Sequence, residues 1–82
     1  MSLEEKVISI ISKNIEKKLT VSLEKELISD LGVDSVSMLM ITYAMEDEFG
    51  ITIDDEDFKD IVTVKDIVAK LRLRYPAVES SK

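Results

Sequence analysis

The stretch LGVDSVSMLMITYAMEDEFG, residues 31–50, reads as a turn followed by one helix with its own start and stop signals. From Ser35 to Phe49 it contains neither Gly nor Pro. Ser35 stands where an N-cap hydroxyl meets the first backbone N–H groups of a helix, and Gly50 follows as the residue that most readily takes the left-handed closing turn. The apolar residues between them, Val36, Met38 to Ile41, Tyr43 to Met45 and Phe49, fill more than one stripe. Such a helix either sits centrally in a bundle or shows apolar side chains to solvent.

Upstream, Ser2-Leu3-Glu4-Glu5 has the pattern of a capping box. Leu3, Val7, Ile11 and Ile15 then recur every four residues, which predicts an amphipathic first helix to about residue 17. Lys18 to Asp34 shows no sustained period and is expected to be a long ordered loop, with one turn over Glu24 to Ile28 and Gly32 supplying backbone freedom near its end. Downstream, Ile51 and Ile53 flank Thr52 in an extended connector too short for a sheet. Asp54 or Asp55 is placed to cap a short helix through Asp60 that buries Phe58 and Ile61. Thr63 and Asp66 frame the next start, with Val64, Ile67, Val68 and Leu71 as its inner face. Arg72 and Arg74 suit the negative end of that helix, and Pro76 blocks its continuation. The predicted class is all-α: a small antiparallel helical bundle of three main helices plus one short helix. Residues 1–75 form the domain and residues 76–82 a flexible C-terminal tail.

A length of 82 residues allows a single domain. The chain has no Cys and no His. That excludes disulfides, a thiolate nucleophile, cysteine- or histidine-held metals and the usual neutral-pH base, so the chain is not expected to be an enzyme by itself. The longest aliphatic runs, such as Met38 to Ile41, are far short of a membrane span, and the acidic start lacks the layout of a signal peptide. A cytoplasmic monomer is the expectation. The formal charge is −6, and it is uneven: residues 30 to 60 hold ten acids against Lys59 alone, a net −9. Phosphate backbones and anionic lipids would repel that middle, so nucleic acid is an unsuitable partner and basic protein surfaces are suitable ones. Asp55 to Asp66 does not make a calcium loop, because Lys59 and Asp60 occupy positions where a ligand and the glycine are needed.

The polar group best placed for function is Ser35, at the junction of the loop and the second helix. No side chain nearby in sequence can act as its base, and G-x-D-S is not the hydrolase elbow, so Ser35 is not a self-activated nucleophile. It is suited instead to receive a group. A phosphodiester on this hydroxyl would lie at the positive end of a helix, favoured by about 0.3–1 kcal/mol.

Leu31-Gly32-Val33-Asp34-Ser35, the Met-rich helix ending Glu46-Asp47-Glu48-Phe49-Gly50-Ile51, the run Ile53-Asp54-Asp55-Glu56-Asp57, and Thr63-Val64 together resemble the acyl carrier protein family, from the first helix through Leu71. The resemblance implies that a separate phosphopantetheinyl transferase attaches 4′-phosphopantetheine, taken from coenzyme A, to Ser35, and that Asp34 belongs to the signature this transferase reads. It further implies a carrier that holds acyl groups as thioesters and shuttles them between acyl ligase or synthase enzymes of fatty-acid or related biosynthesis. The cofactor would bring the sulfur that the chain lacks. Partner recognition would fall on Val36, Ser37, Met40, Glu46 and Asp47 of the second helix and on Asp54, Asp55, Glu56 and Asp57 beyond it, meeting basic docking patches. An aminoacyl, polyketide or nonribosomal-peptide carrier shares these features, and an unmodified helical protein-binding module would share the fold alone.

The chain departs from the family pattern at the front of the recognition helix. Val36 and Ser37 stand where Leu and then an acid are common, and Met40 occupies a commonly acidic position one turn later. Either Met40 merely covers other apolar atoms, which its adaptable side chain permits, or the surface is specialised for one dedicated pathway. A similar choice holds for Met38, Leu39, Tyr43, Met45 and Phe49: ordinary core, or a core that parts around an acyl chain together with Ile53, Phe58, Ile61 and Ile67.

Overall fold

A computed structural model describes residues 2–15 and 19–79, apart from the side chain of Asp55. They form three α-helices, α1 (Leu3–Lys13), α2 (Ser35–Phe49) and α3 (Val64–Arg74), with 3-10 turns at Asp55–Phe58 and Pro76–Glu79. No strand occurs among the described residues, and the fold is all-α.

Two helices begin with reciprocal caps. Ser2 Oγ accepts from Glu5 N–H at 3.1 Å while Glu5 Oε1 accepts from Ser2 N–H at 2.9 Å. Thr63 Oγ1 accepts from Asp66 N–H at 3.2 Å, and Asp66 Oδ2 accepts from Val62 N–H at 2.8 Å and Thr63 N–H at 3.0 Å. These bonds satisfy donors that a helix start otherwise leaves open. α1 then presents Leu3, Val7 and Ile11, and α3 presents Val64, Ile67, Val68 and Leu71, to a common core. α1 packs against both α2 and α3.

α1 ends at Lys13, earlier than its apolar spacing suggests. Asn14 closes it: the side-chain Nδ2 donates to Ile10 O at 2.8 Å and the backbone N–H to Ile11 O at 3.0 Å. Asn competes for backbone acceptors in this way, while Ile15 still packs on the core after the helix has stopped. Lys17, in the expected last turn, lies outside the described residues.

The long loop is held rather than slack. Glu26 and Thr63 form an isolated antiparallel bridge. Around it Leu27 N–H donates to Val62 O at 2.9 Å, Val64 N–H to Lys25 O at 3.1 Å and Lys65 N–H to Leu23 O at 2.9 Å. Leu27, Leu31 and Val33 anchor the same loop in the core. Its turn spans Glu26 to Val33 instead of Glu24 to Ile28, closed by Val33 N–H donating to Leu27 O at 2.8 Å and passing through Gly32 at φ 67°. That φ is the left-handed region, open to Gly at little cost.

The C-terminal segment differs from the flexible tail expected from Pro76 onward. Pro76–Glu79 is a 3-10 turn that packs against α3 and buries Val78, so apolar burial outweighs the ordering cost of this short piece. Arg72 holds the turn from outside, with Nε 2.9 Å from Glu79 Oε2 and the guanidinium also paired with Glu4.

Candidate functional site

α2 takes its first turn from Asp34, not from Ser35. Asp34 has extended backbone angles (φ −110°, ψ −173°), and its Oδ1 accepts from Ser37 N–H at 2.8 Å. Ser35 is thereby the first residue of the helix proper and not its N-cap. Both Asp and Ser cap well; here the backbone geometry selects Asp34, which leaves the Ser35 side chain exposed to solvent. At the other end Gly50 adopts φ 66°, and its N–H and that of Ile51 both donate to Glu46 O. Between these ends Ile41, Met45 and Phe49 are buried, while Val36, Leu39, Met40 and Tyr43 face out. The broad apolar pattern of the helix thus resolves into one anchored stripe and one open face.

The hydrogen bond from Ser37 N–H is the main cause that holds the Asp34 carboxyl below the ordinary aspartate range, and the Ser37 side chain adds to it. Asp66 is lowered likewise, first by the Thr63 N–H and then by the Val62 N–H. A depressed carboxyl pKa contributes stability that is complete above the unfolded value, about 3.9, and disappears as pH falls through the lower folded value. We expect the Ser37 amide resonance to titrate with a midpoint below about 3.9. A midpoint at or above that value would show that the cap does not form in solution.

Two grooves open beside Ser35. One, of about 520 Å³, runs between the loop and the segment before α3 and is walled by Leu27, Ile28, Val33, Phe58, Ile61 and Val62. The other, of about 450 Å³, runs along α2 past Leu39, Thr42, Tyr43, Glu46 and Ile53. Ser35, Met38, Phe58 and Lys59 border both. Lys59 is also the only base in the acidic middle of the chain. Ile28 and Val62 were not legible as site residues, since an aliphatic in a loop looks the same in sequence whether it anchors the core or lines a groove.

The acids expected to meet partners divide into two groups. Asp47, Asp54 and Glu56 are exposed, and Glu48 and Asp60 lie with them at the surface. The side chain of Asp55 lies outside the described residues. Asp57 is not a partner-facing acid: it is 7% exposed, its Oδ2 accepts from the Tyr75 hydroxyl, and its Oδ1 sits 3.1 Å from Arg74 Nε. A buried carboxylate requires such partners. Glu46 is half-buried, with Oε2 accepting from Ile53 N–H at 2.7 Å, so its charge fixes the connector before it faces any partner. Of the two candidate caps of the short helix, Asp54 makes no side-chain cap bond, and its N–H donates to the Tyr75 hydroxyl.

No helix of the described residues is long and apolar enough to cross a membrane, and no group of potential metal ligands occurs among them. Residues 5–71 match the family model for the phosphopantetheine attachment site. The chain is 43% identical over 77 residues to the acyl carrier protein of Nitratidesulfovibrio vulgaris strain Miyazaki F, covering 88% of this chain and 96% of that one. It is 37% identical over 75 residues to the acyl carrier protein of Syntrophus aciditrophicus, covering 90% and 94% respectively. A solved structure of a chain from Mycobacterium tuberculosis, assigned as an acyl carrier protein, superposes with a TM-score of 0.79 at 27% identity, covering 90% of this chain and 100% of that one. The chain belongs to the acyl carrier proteins, carriers rather than catalysts, whose cofactor is 4′-phosphopantetheine.

Proposed function

We propose that Ser35 is the hydroxyl to which a phosphopantetheinyl transferase attaches the arm, and that the chain carries acyl groups between enzymes of fatty-acid or a related biosynthesis, as a cytoplasmic monomer. The observation that carries this reading is the exposure of Ser35 at the first position of a fifteen-residue helix, beside two open grooves. When bound, the arm supplies a terminal thiol that holds an acyl group as a thioester. The chain's own residues fit the arm. The positive end of α2 favours the phosphodiester, and Lys59 borders the same space with a positive charge. Leu27, Ile28, Phe58 and Ile61 offer an apolar wall to whatever extends from Ser35.

Asp34 acts by position. With Oδ1 committed to Ser37 N–H, the carboxylate fixes the turn that exposes Ser35, and from this exposed place it is open to the transferase. Val36, Ser37 and Met40 form the near part of the partner surface, Asp54 borders the same groove as Ser35, and Asp47 and Glu56 add acidic charge that suits basic patches on acyl ligases or synthases.

Intact mass spectrometry tests the reading. After incubation with coenzyme A and a promiscuous phosphopantetheinyl transferase, the chain should gain the mass of one arm, and Ser35→Ala should gain none. A wild-type chain that stays bare, or an Ser35→Ala variant that is still modified, rejects Ser35 as the attachment point.

A further inference from the structure

The first ten residues of α2, Ser35 to Ala44, contain no charged side chain. In place of charge, Val36, Leu39, Met40 and Tyr43 stand 68%, 48%, 53% and 58% exposed. At this spacing they share one face of the helix. Ile28 and Val62, 77% and 53% exposed, border the groove that opens at Ser35. The Asp34 carboxylate beside Ser35 gives Oδ1 to Ser37 N–H and is otherwise exposed. Acids resume only at Glu46 and Asp47, and at 1.5 Å of rise per residue Asp47 lies about 16 Å along the helix from Val36.

A partner that brought lysines and arginines up to Ser35 would set them against methyl, thioether and ring atoms. Over Val36, Leu39, Met40 and Tyr43 those charges would lose water and gain no counter-ion, which is unfavourable, whereas Asp34 and Asp54 stand exposed beside the Ser35 end. Resting on the carrier reading above, we propose that an enzyme acting at Ser35 docks on this chain through an apolar patch that covers Val36, Leu39, Met40 and Tyr43, with its basic residues outside that patch, facing Asp54 across the groove and Asp47 and Glu48 farther along α2. Apolar contact then holds the complex, and charge only orients the approach. A second copy of the chain is a poorer occupant. Two chains of net charge −6 would bring their acidic segments together, and four side chains fall well short of the area of about 800 Å² per partner in a standard stable interface. A small patch suits a partner that must leave after each transfer.

The test uses the full chain, coenzyme A and the phosphopantetheinyl transferase of the same organism. Wild-type kcat/KM should change by less than about threefold between about 50 and about 500 mM NaCl. Met40→Glu and the pair Leu39→Ser, Tyr43→Ser should each lower kcat/KM by about tenfold or more with unchanged helix content, whereas the pair Asp47→Asn, Glu48→Gln, which removes only orienting charges, should cost severalfold less than either. A steep fall with salt, a tenfold loss in the Asp47, Glu48 pair, or full activity in Met40→Glu overturns the apolar patch while leaving the carrier reading intact. A wild-type chain that accepts no arm removes both. Sedimentation supplies the remaining arm: a dimer of the wild type that Met40→Glu dissolves assigns the patch to a second copy and overturns the proposal.

Discussion

Ile41→Ala is expected to lower the unfolding free energy by about 2–5 kcal/mol, the range for removing a large aliphatic side chain from a closed core. Ile41 has no accessible surface and lies on the buried side of α2 with Met45 and Phe49. The loss is large against the total, because a domain of this length has a stability of roughly 4–12 kcal/mol. With a urea slope of about 1 kcal/mol per molar, the midpoint should fall by roughly 2 M or more. Leu39, two residues earlier on the same helix, is 48% exposed, and Leu39→Ala should move the midpoint by less than about 1 M. The contrast tests the orientation of α2 directly. Equal effects at the two positions would mean that the helix is rotated about its axis from the arrangement described, and the outward apolar face would go with it.

That orientation was the main thing the sequence left open. An amphipathic helix announces its inner face through its period, as α1 does with Leu3, Val7 and Ile11 and α3 with Val64, Ile67, Val68 and Leu71. α2 has apolar residues on every side, so its period has no preferred phase, and only packing against α1 selects Ile41, Met45 and Phe49. Local signals fared better because they act over three or four residues. Both capping boxes and the Gly50 stop were readable for that reason. The cap that the pattern places at Ser35 falls on Asp34, because two adjacent residues can both cap and backbone angles decide between them. Pairings distant in sequence were invisible: Asp57 looked like one more surface acid because its partners, Arg74 and Tyr75, lie beyond the reach of any local pattern. Val78 was missed for a similar reason, since a lone Val after Pro carries no period at all.

The departures at Ser37 and Met40 take on a definite meaning once the burial is known. Met40 covers no neighbouring apolar surface to the point of losing its own exposure; it is 53% exposed, and so it is a feature of the surface. Ser37 contributes mainly through its backbone N–H, which the Asp34 cap requires of any residue at that position. An acid at Ser37 would keep that bond but set a second carboxylate beside that of Asp34, in place of a hydroxyl that helps hold the Asp34 charge. Met40 therefore belongs to the outward face of α2.

Asp57→Ala is the second change with a large expected effect, about 2 kcal/mol, because it removes the acceptor of a hydrogen bond to a charged group and leaves its donors facing each other. Asp57 joins two pieces of chain. It receives the Tyr75 hydroxyl, lies 3.1 Å from Arg74 Nε, and through Tyr75 connects to Asp54 N–H at 3.2 Å, so the 3-10 turn Asp55–Phe58 is fastened to the end of α3. The ion pair contributes the smaller part, since the Arg74 side chain is 53% exposed and screened. A double-mutant cycle of Tyr75→Phe with Asp57→Asn should show a coupling of about 1 kcal/mol or more. The phenol gives an independent sign. Its O–H donates to the Asp57 carboxylate and it is partly buried, and both effects raise its pKa above the ordinary value. A raised pKa means that this stabilisation is complete below the unfolded value of about 10 and is lost as pH climbs through the folded one. Tyr75→Phe should therefore flatten the alkaline end of the stability curve. In both Tyr75→Phe and Asp57→Ala, amide exchange should quicken at Asp57, whose N–H donates to Asp54 O at 3.0 Å within the fastened turn. Additive stabilities in the cycle, together with exchange unchanged at that amide, would mean that the turn is held by Phe58 and Ile61 against the core and that the polar node is incidental to it.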